Sequence, residues 1–490
     1  MAILGTDRSQ LNFKKEEGTV NLRNFVESTI ISESPDIDRI TRYTLYWHFY
    51  SGKHWRQYNE TFLSFNYVRA FIDKVNDFLV GKNGFSLSIQ RYDNEMVEKE
   101  DETNIEGFLD YHWNRSKRKT LIHDILQMGS VSGDSWVHLA YLEDKKFVEI
   151  SSLDSRYCFP EFEYGDANRL DKFTIRQPLE KNDNEFKVFV TEYSKDRVKT
   201  WFQKSTAKES ARINEKDNPN PYEFIPIVHI KNKPSSDAYY SKSDVADILK
   251  INKTYNELAQ SVKSIIDYYG TPTTVITGAT VKTLRKGLGN IWSGLPPEAN
   301  VFNLGLGEDL NGTVEFMKLL KTNMHELSDV PENALGKLQA ISNTSAAALQ
   351  ITYQPLVQQA DKKWLTYGEG ITEVNYLTTK IMRKVDAKNA LLAKCPKGFE
   401  DDFEISPVFT YGLPQDRLVE LNQANLEINM KIGSRSEIMN RLGKKNVPEL
   451  MEEINEDILK LNELSMSMGG QQLGEGEQPE EEEIPENSVK

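Results

Sequence analysis

Two classes of protein are excluded by what this 490-residue sequence has little of. Its longest apolar runs are far too short to cross a bilayer, and its mean hydropathy is -0.57. It has only two cysteines, Cys158 and Cys395, which lie far apart and outside any CxxC motif. The first residues also lack the long apolar core of a signal peptide. We therefore expect no membrane span and no disulfide framework, with both thiols buried and reduced as in a cytosolic protein.

Positive charge is scarce relative to negative charge. The chain has 60 Lys and Arg residues against 74 Asp and Glu residues, which gives a formal net charge of -14. The isoelectric point is about 5.2. This balance argues against a protein that grips nucleic acid with a broad basic face.

The common catalytic motifs are missing as well. There is no GxxxxGK[ST] phosphate loop and no GxSxG, and His325-Glu326 lacks the second histidine of HExxH. His48 and His54 have no third ligand at a suitable spacing, which favours packing or surface histidines over a metal site. We predict no catalytic residue, no metal site and no cofactor. The alternative is a nucleic-acid-processing enzyme with an active site assembled from scattered residues.

Two long helical patterns dominate what the sequence does contain. Residues 243–270 repeat apolar side chains at a spacing of three and four, with Ser243 at the N-cap and Gly270 at the C-cap. The second pattern, 344–385, contains Pro355, which should kink the helix because proline removes a backbone donor. Between them lie a glycine- and β-rich insert, a short helix over 313–330 and a polar loop over 331–343.

The part of the chain before the first long helix mixes helices with short strands. Residues 1–24 predict an exposed arm, and the segment up to 242 begins with helices. Short alternating runs then predict an antiparallel sheet of about five strands, and a polar stretch at 204–221 marks its end. The residues IPIVHIKN (225–232) predict a further strand that leads into the long helix.

The part after the second long helix is mostly helical. FEISPVF (403–409) predicts a strand that returns to the earlier sheet, which makes that domain discontinuous. Helices follow over 416–468, the first ending at Gly433 and the next capped by Ser434 or Ser436. The tail, 469–490, is rich in glycine, proline and glutamate, and we expect it to be disordered.

Three stretches in this order carry a resemblance. The first is IPIVHIKNKP followed by SKSDVADILKINKTYNELAQS, in which a strand ends in asparagine and Ser-Asp opens a helix with Asn256 further along. The second is SNTSAAALQITYQPLVQQADKKW, and the third is FTYGLPQDRLVELNQANLEINMKIGSRSEIMNRLG. Together they resemble the portal proteins of tailed bacteriophages. Ala346 or Ala347 stands where that family commonly has glycine, which is a departure from its pattern.

The resemblance implies an α+β portal-like fold with named regions. These are an N-terminal arm (1–24), a wing (25–242) with a return strand (386–415), stem helices (243–270 and 313–330), a clip (271–312), a tunnel loop (331–343), a kinked channel helix (344–385), crown helices (416–468) and the acidic tail (469–490).

The resemblance also implies a mechanical function without catalysis. Portal proteins form a ring, usually of 12 subunits, at one capsid vertex, through which double-stranded DNA is packaged and ejected. Implied partners are the terminase large subunit, head–tail connector proteins, and the major capsid and scaffolding proteins. The implied location is the virion, after assembly in the cytoplasm of the host bacterium. A net negative charge agrees with this function, because a strongly basic bore would hold the phosphates.

Two groups of residues are candidate sites under this resemblance. In the clip, they are Lys282, Arg285, Lys286 and Trp292, where a partner contact and an ordinary surface patch are both open. In the tunnel loop, the polar side chains suited to brief, sequence-blind contacts with DNA are Asn333, Lys337, Gln339, Ser342 and Asn343.

Two further expectations accompany these sites. The clip insert is too small to bury a core alone, so its strands are expected to pair with those of neighbouring subunits. A minor capsid protein without a channel is the second alternative to the portal interpretation.

Overall fold

A computed structural model describes most of the chain. The described residues are 36–53, 63–81, 84–93, 95–164, 166–182, 185–206, 210–235, 239–270, 274–278, 296–303, 311–336, 346–409, 417–442 and 447–468. The chain forms two compact units, Met1–Gly412 and Leu413–Lys490.

The helices follow the hydrophobic periodicity closely. They are α1 (Ile37–Tyr50), α2 (Tyr67–Val80), α3 (Lys99–Arg115), α4 (Arg118–Ser132), α5 (Val245–Gly270), α6 (Asn311–Leu327), α7 (Ala346–Val385), the short α8 (Phe399–Asp402), α9 (Arg417–Asn429), α10 (Arg435–Arg441) and α11 (Val447–Met468). The helices predicted at 243–270, 313–330 and 344–385 are therefore confirmed to within three residues. α7 is continuous through Pro355, and the kink expected there stays a prediction.

The strands within the described residues form four antiparallel sheets. They are β1 (Phe85–Arg91), β2 (Asp134–Leu142), β3 (Phe147–Leu153), β4 (Cys158–Glu163), β5 (Asp166–Asn182), β6 (Glu185–Ser194), β7 (Arg197–Thr206), β8 (Ser210–Pro219), β9 (Ile227–Lys231), β10 (Thr274–Thr277), β11 (Asn300–Asn303) and β12 (Phe403–Phe409). The strand orders are β3-β2-β9, β4-β5-β6-β7-β8, β1-β12 and β10-β11.

The prediction of one sheet ending at residue 204 was wrong. The strands divide between two sheets, because the 3-10 turn Ser155–Tyr157, whose Arg156 amide is bound by Asp154, interrupts the chain between β3 and β4. The polar stretch contributes β8, which pairs with β7 along its length. Its side chains from 211 to 219 are all exposed, so this edge strand has no buried face and therefore no apolar alternation.

The strand predicted at 403–409 exists but pairs differently from expectation. β12 is antiparallel to β1, with Phe85 opposite Phe409 and Arg91 opposite Phe403. It does not join the sheets formed by residues 134–231. The domain that contains β1 is therefore discontinuous in sequence, as predicted. The sequence did not indicate β1 as the partner of β12, because strand pairing is non-local and β1 is a short strand outside the predicted sheet.

α7 lies at the centre of the first unit and packs on the three-stranded sheet and on β12. Gly370 allows this approach, because a Cβ atom at that position would lie 2.5 Å from Cγ1 of Ile230 in β9. Gly129 of α4 likewise leaves room for the Tyr367 hydroxyl. These contacts bury one face of α7 between residues 356 and 385, where Leu356, Val374 and Ile381 are fully buried.

The second unit consists of the predicted helices α9, α10 and α11. Ser434 caps α10 by accepting the amide of Glu437, as expected. Gly433 does not terminate α9, because the left-handed residue there is Lys431 and the amide of Ile432 returns to the carbonyl of Glu427.

Both cysteines are free and buried, as predicted. Burial raises the pKa of the Cys158 thiol well above its ordinary value. Cys158 packs with Trp136 and Phe173 in the cluster that joins the two larger sheets. This thiol therefore has a packing role.

Candidate functional site: the α5–α6 helix pair and its junction with α7

The start of α5 is fixed by its own sequence and by α4. The Ser243 hydroxyl accepts the amide of Val245, 3.0 Å away, and donates to the carbonyl of Val131. The amide of Asp244 donates to the carbonyl of Ser130. The predicted N-cap at Ser243 is therefore confirmed, and it also attaches the helix to α4.

A ladder of amide side chains holds α5 against the segment that precedes α2. Asn252, Asn256 and Gln260 lie one turn apart on α5. Asn256 accepts the amide of Phe65 and donates to its carbonyl, Asn252 accepts the amide of Tyr67, and Gln260 accepts the amide of Leu63. Asn256, which carried part of the family resemblance, thus has a structural role in binding an extended backbone segment.

A buried polar cluster joins α5 to α7, and we call it the buried junction: Ser130, Asn232, Asp244, Lys363 and Tyr367. Lys363 Nζ lies 2.5 Å from Asp244 Oδ2 and 2.9 Å from Ser130 Oγ. The Tyr367 hydroxyl donates to Asn232 Oδ1, and Asn232 Nδ2 lies 3.2 Å from Asp244 Oδ1. The junction therefore connects α4, the end of β9, α5 and α7 through hydrogen bonds.

The charges of the buried junction are strongly perturbed by burial. Lys363 is 1% exposed, and desolvation lowers its pKa although Asp244 opposes that shift. Burial alone would raise the pKa of Asp244, but the two lysines beside it, Lys363 and Lys233, lower it to about 2. Asp244 therefore remains a carboxylate that two cations share.

A second buried carboxylate lies close by at the start of β2. Asp134 accepts hydrogen bonds from the Tyr43 hydroxyl and the amide of Ser241, and its Oδ1 lies 2.8 Å from His229 Nε2. The His229 ring stacks on Trp136 at 4.0 Å between centroids. These contacts fix α1 and the approach to α5 on the three-stranded sheet.

Lys363 was not among the residues predicted from the sequence, although its position in an apolar stripe of α7 sets it apart. On α7, residues 356, 360, 363, 367 and 371 share the buried face, and a lysine in that apolar stripe is unusual. Asp244 was noted only as part of the Ser-Asp opening of α5. The pairing of the two residues depends on the tertiary fold and could not be read from their positions.

The end of α6 fixes the first residues of the loop predicted at 331–343. His325 is 7% exposed, and its Nδ1 lies 2.8 Å from the carbonyl of Val330. Its ring meets Phe71 of α2 edge to face, at 4.9 Å between centroids. Residues Glu332–Leu335 form a 3-10 turn, which ends at Gly336 with φ +88°.

Only one of the predicted tunnel-loop residues lies within the part of the chain that the structure describes. Asn333 is half-buried in the 3-10 turn, and its carbonyl accepts the amide of Gly336. Lys337, Gln339, Ser342 and Asn343 lie outside the described residues. The segment 331–336 is thus part of the framework, and the rest of the predicted loop, 337–343, lies outside the described residues.

The predicted clip is described at its base. β10 and β11 pair with each other, with Thr274 opposite Asn303 and Thr277 opposite Asn300. Gly278 follows with φ +79°, and a Cβ there would lie 2.5 Å from the carbonyl oxygen of Glu298, so glycine is required. The pairing of these strands with neighbouring subunits stays a prediction. Lys282, Arg285, Lys286 and Trp292 lie outside the described residues.

One face of α6 exposes apolar side chains, and we call it the α6 stripe: Phe316, Leu319 and Leu327. Their exposed fractions are 47%, 53% and 49%. Spaced by three and eight residues, they project within about 80° of one another around the helix. In contrast, only Met324 and His325 are buried on this helix among the residues described.

An open groove of about 680 Å³ lies between α7 and β12. Its walls carry five carboxylates: Glu369, Glu373, Glu400, Asp401 and Glu404. Neither lysine nor arginine is among its described lining residues. The wall of this groove is therefore acidic, and it repels a phosphate group that arrives without a cation.

Two kinds of feature are absent from the described residues. Across those ranges, no cluster of three or more His, Cys, Asp or Glu side chains is arranged to hold a metal ion. Among the helices described, none combines the length and the apolarity needed to cross a membrane.

Comparison with known proteins gives the family. The profile described as "Phage portal protein, SPP1 Gp6-like" matches residues 33–463, which is most of the chain. The chain therefore belongs to the phage portal protein family. Its general role is accordingly that of a portal, or head–tail connector, protein, which is a structural role. Its mixture of helices and sheets is an α+β portal-like fold.

Comparison with individual proteins adds little. No curated protein matches the sequence. Among solved structures, the neck of an empty gene transfer agent particle computed with C6 symmetry is 13% identical, covers 78% of this chain and 91% of its own, and has a TM-score of 0.41. The neck of the native particle computed with C12 symmetry is 14% identical, covers 76% of this chain and 89% of its own, and has a TM-score of 0.40. The virion of the native particle is 12% identical, covers 85% of this chain and 99% of its own, and has a TM-score of 0.40. These values carry no argument about function.

Proposed function

We propose that this chain forms a ring, of 12 copies, at one vertex of a phage capsid. Double-stranded DNA passes through the central channel, inward during packaging by the terminase and outward during ejection. Membership of the portal family supports this proposal. The protein acts mechanically, and its chemistry consists of contacts with DNA and with other proteins.

The regions of the chain take the following roles in the proposal. Residues 25–242 with 386–415 are the wing, α5 and α6 are the stem, 271–312 are the clip, and 416–468 are the crown. α7 crosses from the channel to the wing. Of the predicted tunnel loop, 331–343, we assign the contact with DNA to 337–343. Supporting this choice, 331–336 are held by His325 and the 3-10 turn.

The α6 stripe is the observation that carries the ring. Phe316, Leu319 and Leu327 are about half-exposed on a helix that packs on α5. A chain that folds alone has no reason to place three large apolar side chains in one exposed row. In a ring, each subunit presents two different faces to its neighbours, so this row would be covered by a different surface of the next copy.

The channel surface in this proposal makes weak, sequence-independent contacts with DNA. Lys337 repeated around a ring gives a circle of single positive charges, and Gln339, Ser342 and Asn343 add polar groups. Asn333, which the 3-10 turn holds half-buried, is set aside as a channel residue. The net charge of -14 fits a passage that does not retain the phosphates. Sliding rather than tight binding is the expected behaviour.

The proposed partners follow from the two ends of the ring. The clip, with Lys282, Arg285, Lys286 and Trp292, docks the terminase large subunit and later the head–tail connector proteins. The wing and crown face the major capsid and scaffolding proteins. The protein assembles in the host bacterial cytoplasm and remains in the virion at the portal vertex.

The test is electron microscopy of the purified protein together with its mass in solution, with scaffolding protein added if the chain alone is monomeric. We expect rings with a central hole wide enough for duplex DNA. Leu319→Glu should prevent assembly, because it places a charge in the covered row, while leaving the helix content unchanged. Ser261→Glu, which adds the same carboxylate at an exposed polar position on α5, serves as the control. Closed dimers without a hole, or rings that tolerate Leu319→Glu, would contradict the proposal.

A further inference from the structure

The groove between α7 and β12 follows one face of α7 over several turns. Its lining residues on that helix begin at Trp364 and end at Thr379, which corresponds to a length of about 22 Å. Trp364 stacks on Phe409, and the Thr372 hydroxyl donates to the carbonyl of Ile405, so α7 and β12 run side by side in opposite directions. An extended segment of about six or seven residues has the same length.

The two ends of this groove differ in chemistry. At the end where α7 enters the groove, Leu365 is 70% exposed and Pro407 of β12 is part of the lining. At the other end the lining is acidic, with Glu373 on α7 and with Glu400 and Asp401 just before β12. An occupant that satisfies both ends therefore has an apolar side chain at one end and positive charge at the other.

Most carboxylates of the groove are not neutralised by this chain. Glu400 is paired with Arg383. Within the described residues, Glu369, Glu373 and Asp401 form no ion pair. Desolvation raises the pKa of Glu373, because the surrounding protein excludes water from the carboxyl group without supplying a cation. A cation brought by another molecule would compensate these charges.

A metal ion and an added strand both fit this groove poorly. Among the described residues, no three acidic, histidine or cysteine side chains are arranged to hold a metal ion, so the negative charge is spread along the groove. β12 offers no regular ladder on this side, because Pro407 has no N–H and the carbonyl of Ile405 already accepts the Thr372 hydroxyl. Recognition therefore depends on side chains, and Tyr92, which is 63% exposed, adds a ring on which a guanidinium group can stack.

We propose that the groove between α7 and β12 is the docking site for an extended basic segment of a partner protein. Arginine or lysine side chains of the segment pair with Glu369, Glu373 and Asp401, and an apolar side chain covers Leu365. Charge complementarity identifies the class of partner, because such a segment supplies the ion pairs that this chain leaves unmade. The inference adds a contact to the region proposed as the wing, and it is independent of the ring and of the channel.

The test measures the fluorescence anisotropy of a labelled six-residue peptide titrated with the full chain. The peptide has leucine at one end and two arginines at the other, and it is made in both orders because the groove does not fix the direction of the segment. We expect saturable binding of one order or both. A peptide with citrulline in place of arginine keeps the shape without the charge, and it should bind about fivefold more weakly, the loss expected for two exposed ion pairs.

A pair of variants locates the acidic end of the site. Glu369→Gln combined with Glu373→Gln should weaken binding of the arginine peptide by about fivefold and leave the citrulline peptide unchanged. The matched control is Glu102→Gln combined with Glu106→Gln, which removes two exposed carboxylates at the same spacing on α3, outside the groove. Binding of both peptides to this control should equal that of the wild type.

A third variant tests the apolar end. Leu365→Ser should weaken binding of the peptide that carries leucine, and it should not affect a peptide with serine in place of that leucine. The side chain of Leu365 is 70% exposed, so the substitution leaves the fold intact. This comparison separates a site with two chemically different ends from simple attraction between opposite charges.

Four results would overturn the proposal. The first is the absence of saturable binding. The second is equal weakening by the control pair on α3, which would mean a general attraction of cations to a chain with a net charge of -14. The third is binding that does not respond to Leu365→Ser. The fourth is self-association, measured as mass against concentration, that the Glu369 and Glu373 substitutions abolish, since this would assign the groove to a second copy of the chain.

Discussion

The buried junction and the α6 stripe are opposites within one chain. The junction places charged groups, Asp244 and Lys363, in the interior and satisfies them with partners from the same chain. The stripe places apolar groups, Phe316, Leu319 and Leu327, at the surface. The first region is complete in a single subunit, whereas the second is covered by a neighbouring subunit only in the proposed ring. Under that proposal, the junction forms on folding and the contacts of the stripe form on assembly.

The largest expected effect comes from breaking the junction. Lys363→Met leaves Asp244 buried with Lys233 as its remaining cation, and should lower the free energy of unfolding by roughly 3–5 kcal/mol. Lys362→Met should stay within about 0.5 kcal/mol of the wild type, because that side chain is exposed. Urea denaturation of both variants measures the contrast. Equal stabilities would mean that the junction contributes little.

A smaller effect is expected where α7 approaches β9. Gly370→Ala should destabilise the protein by roughly 1–3 kcal/mol, because the added methyl would overlap Ile230. Gly368→Ala, two residues earlier, meets only Pro407 at 3.8 Å and should be neutral or stabilising by up to about 1 kcal/mol. Thermal melts of the two variants compare them directly, and equal losses would contradict the close approach.

The junction should also give stability a dependence on acid pH. Because the folded pKa of Asp244 is about 2, below the ordinary value near 3.9, its contribution is present above pH 4 and is lost as pH falls toward 2. The size is on the order of 2 kcal/mol. Wild type and Asp244→Asn should therefore differ at pH 6 and converge near pH 2. Parallel curves across this range would assign the pH dependence to other groups.

The smallest effect on stability is expected from changes in residues 337–343, the segment between α6, which carries the stripe, and α7, which carries Lys363 of the junction. Replacing 337–343 with a Gly-Ser segment should change the unfolding free energy by about 0.5 kcal/mol or less, because it leaves α6, the 3-10 turn and α7 intact. Ring mass should be unchanged, while DNA packaging or retention falls. Native mass spectrometry and a packaging assay measure these outcomes. Loss of the ring would show that the segment is structural.

The sequence predicted helices better than sheets, for a physical reason. α5 was predicted with its ends, because its apolar periodicity and the flanking Ser243 and Gly270 are signals that lie within the helix itself or beside it. The division of the strands between sheets depends on contacts such as β2 with β9, which lie almost 90 residues apart. Nothing local in the polar stretch at 204–221 indicated that it forms β8.

The sequence also predicted the family better than it predicted the residues of the candidate site, because the site depends on contacts between distant residues. The order of the long helices and the three quoted stretches led to the portal family, which the family profile then confirmed. The residues expected to face DNA or partners lie almost entirely outside the described part of the chain, and their roles stay predictions. The junction residues were missed because their importance arises from their pairing rather than from their types.

The sequence by itself indicated the family, the long helices and the free, buried cysteines. Each of these depends on composition or on spacing along the chain. The tertiary structure alone decided that Lys363 meets Asp244, that β12 pairs with β1, and that Phe316 and Leu319 remain exposed. Burial and pairing are properties of residues distant in sequence, and only the folded chain brings such residues together.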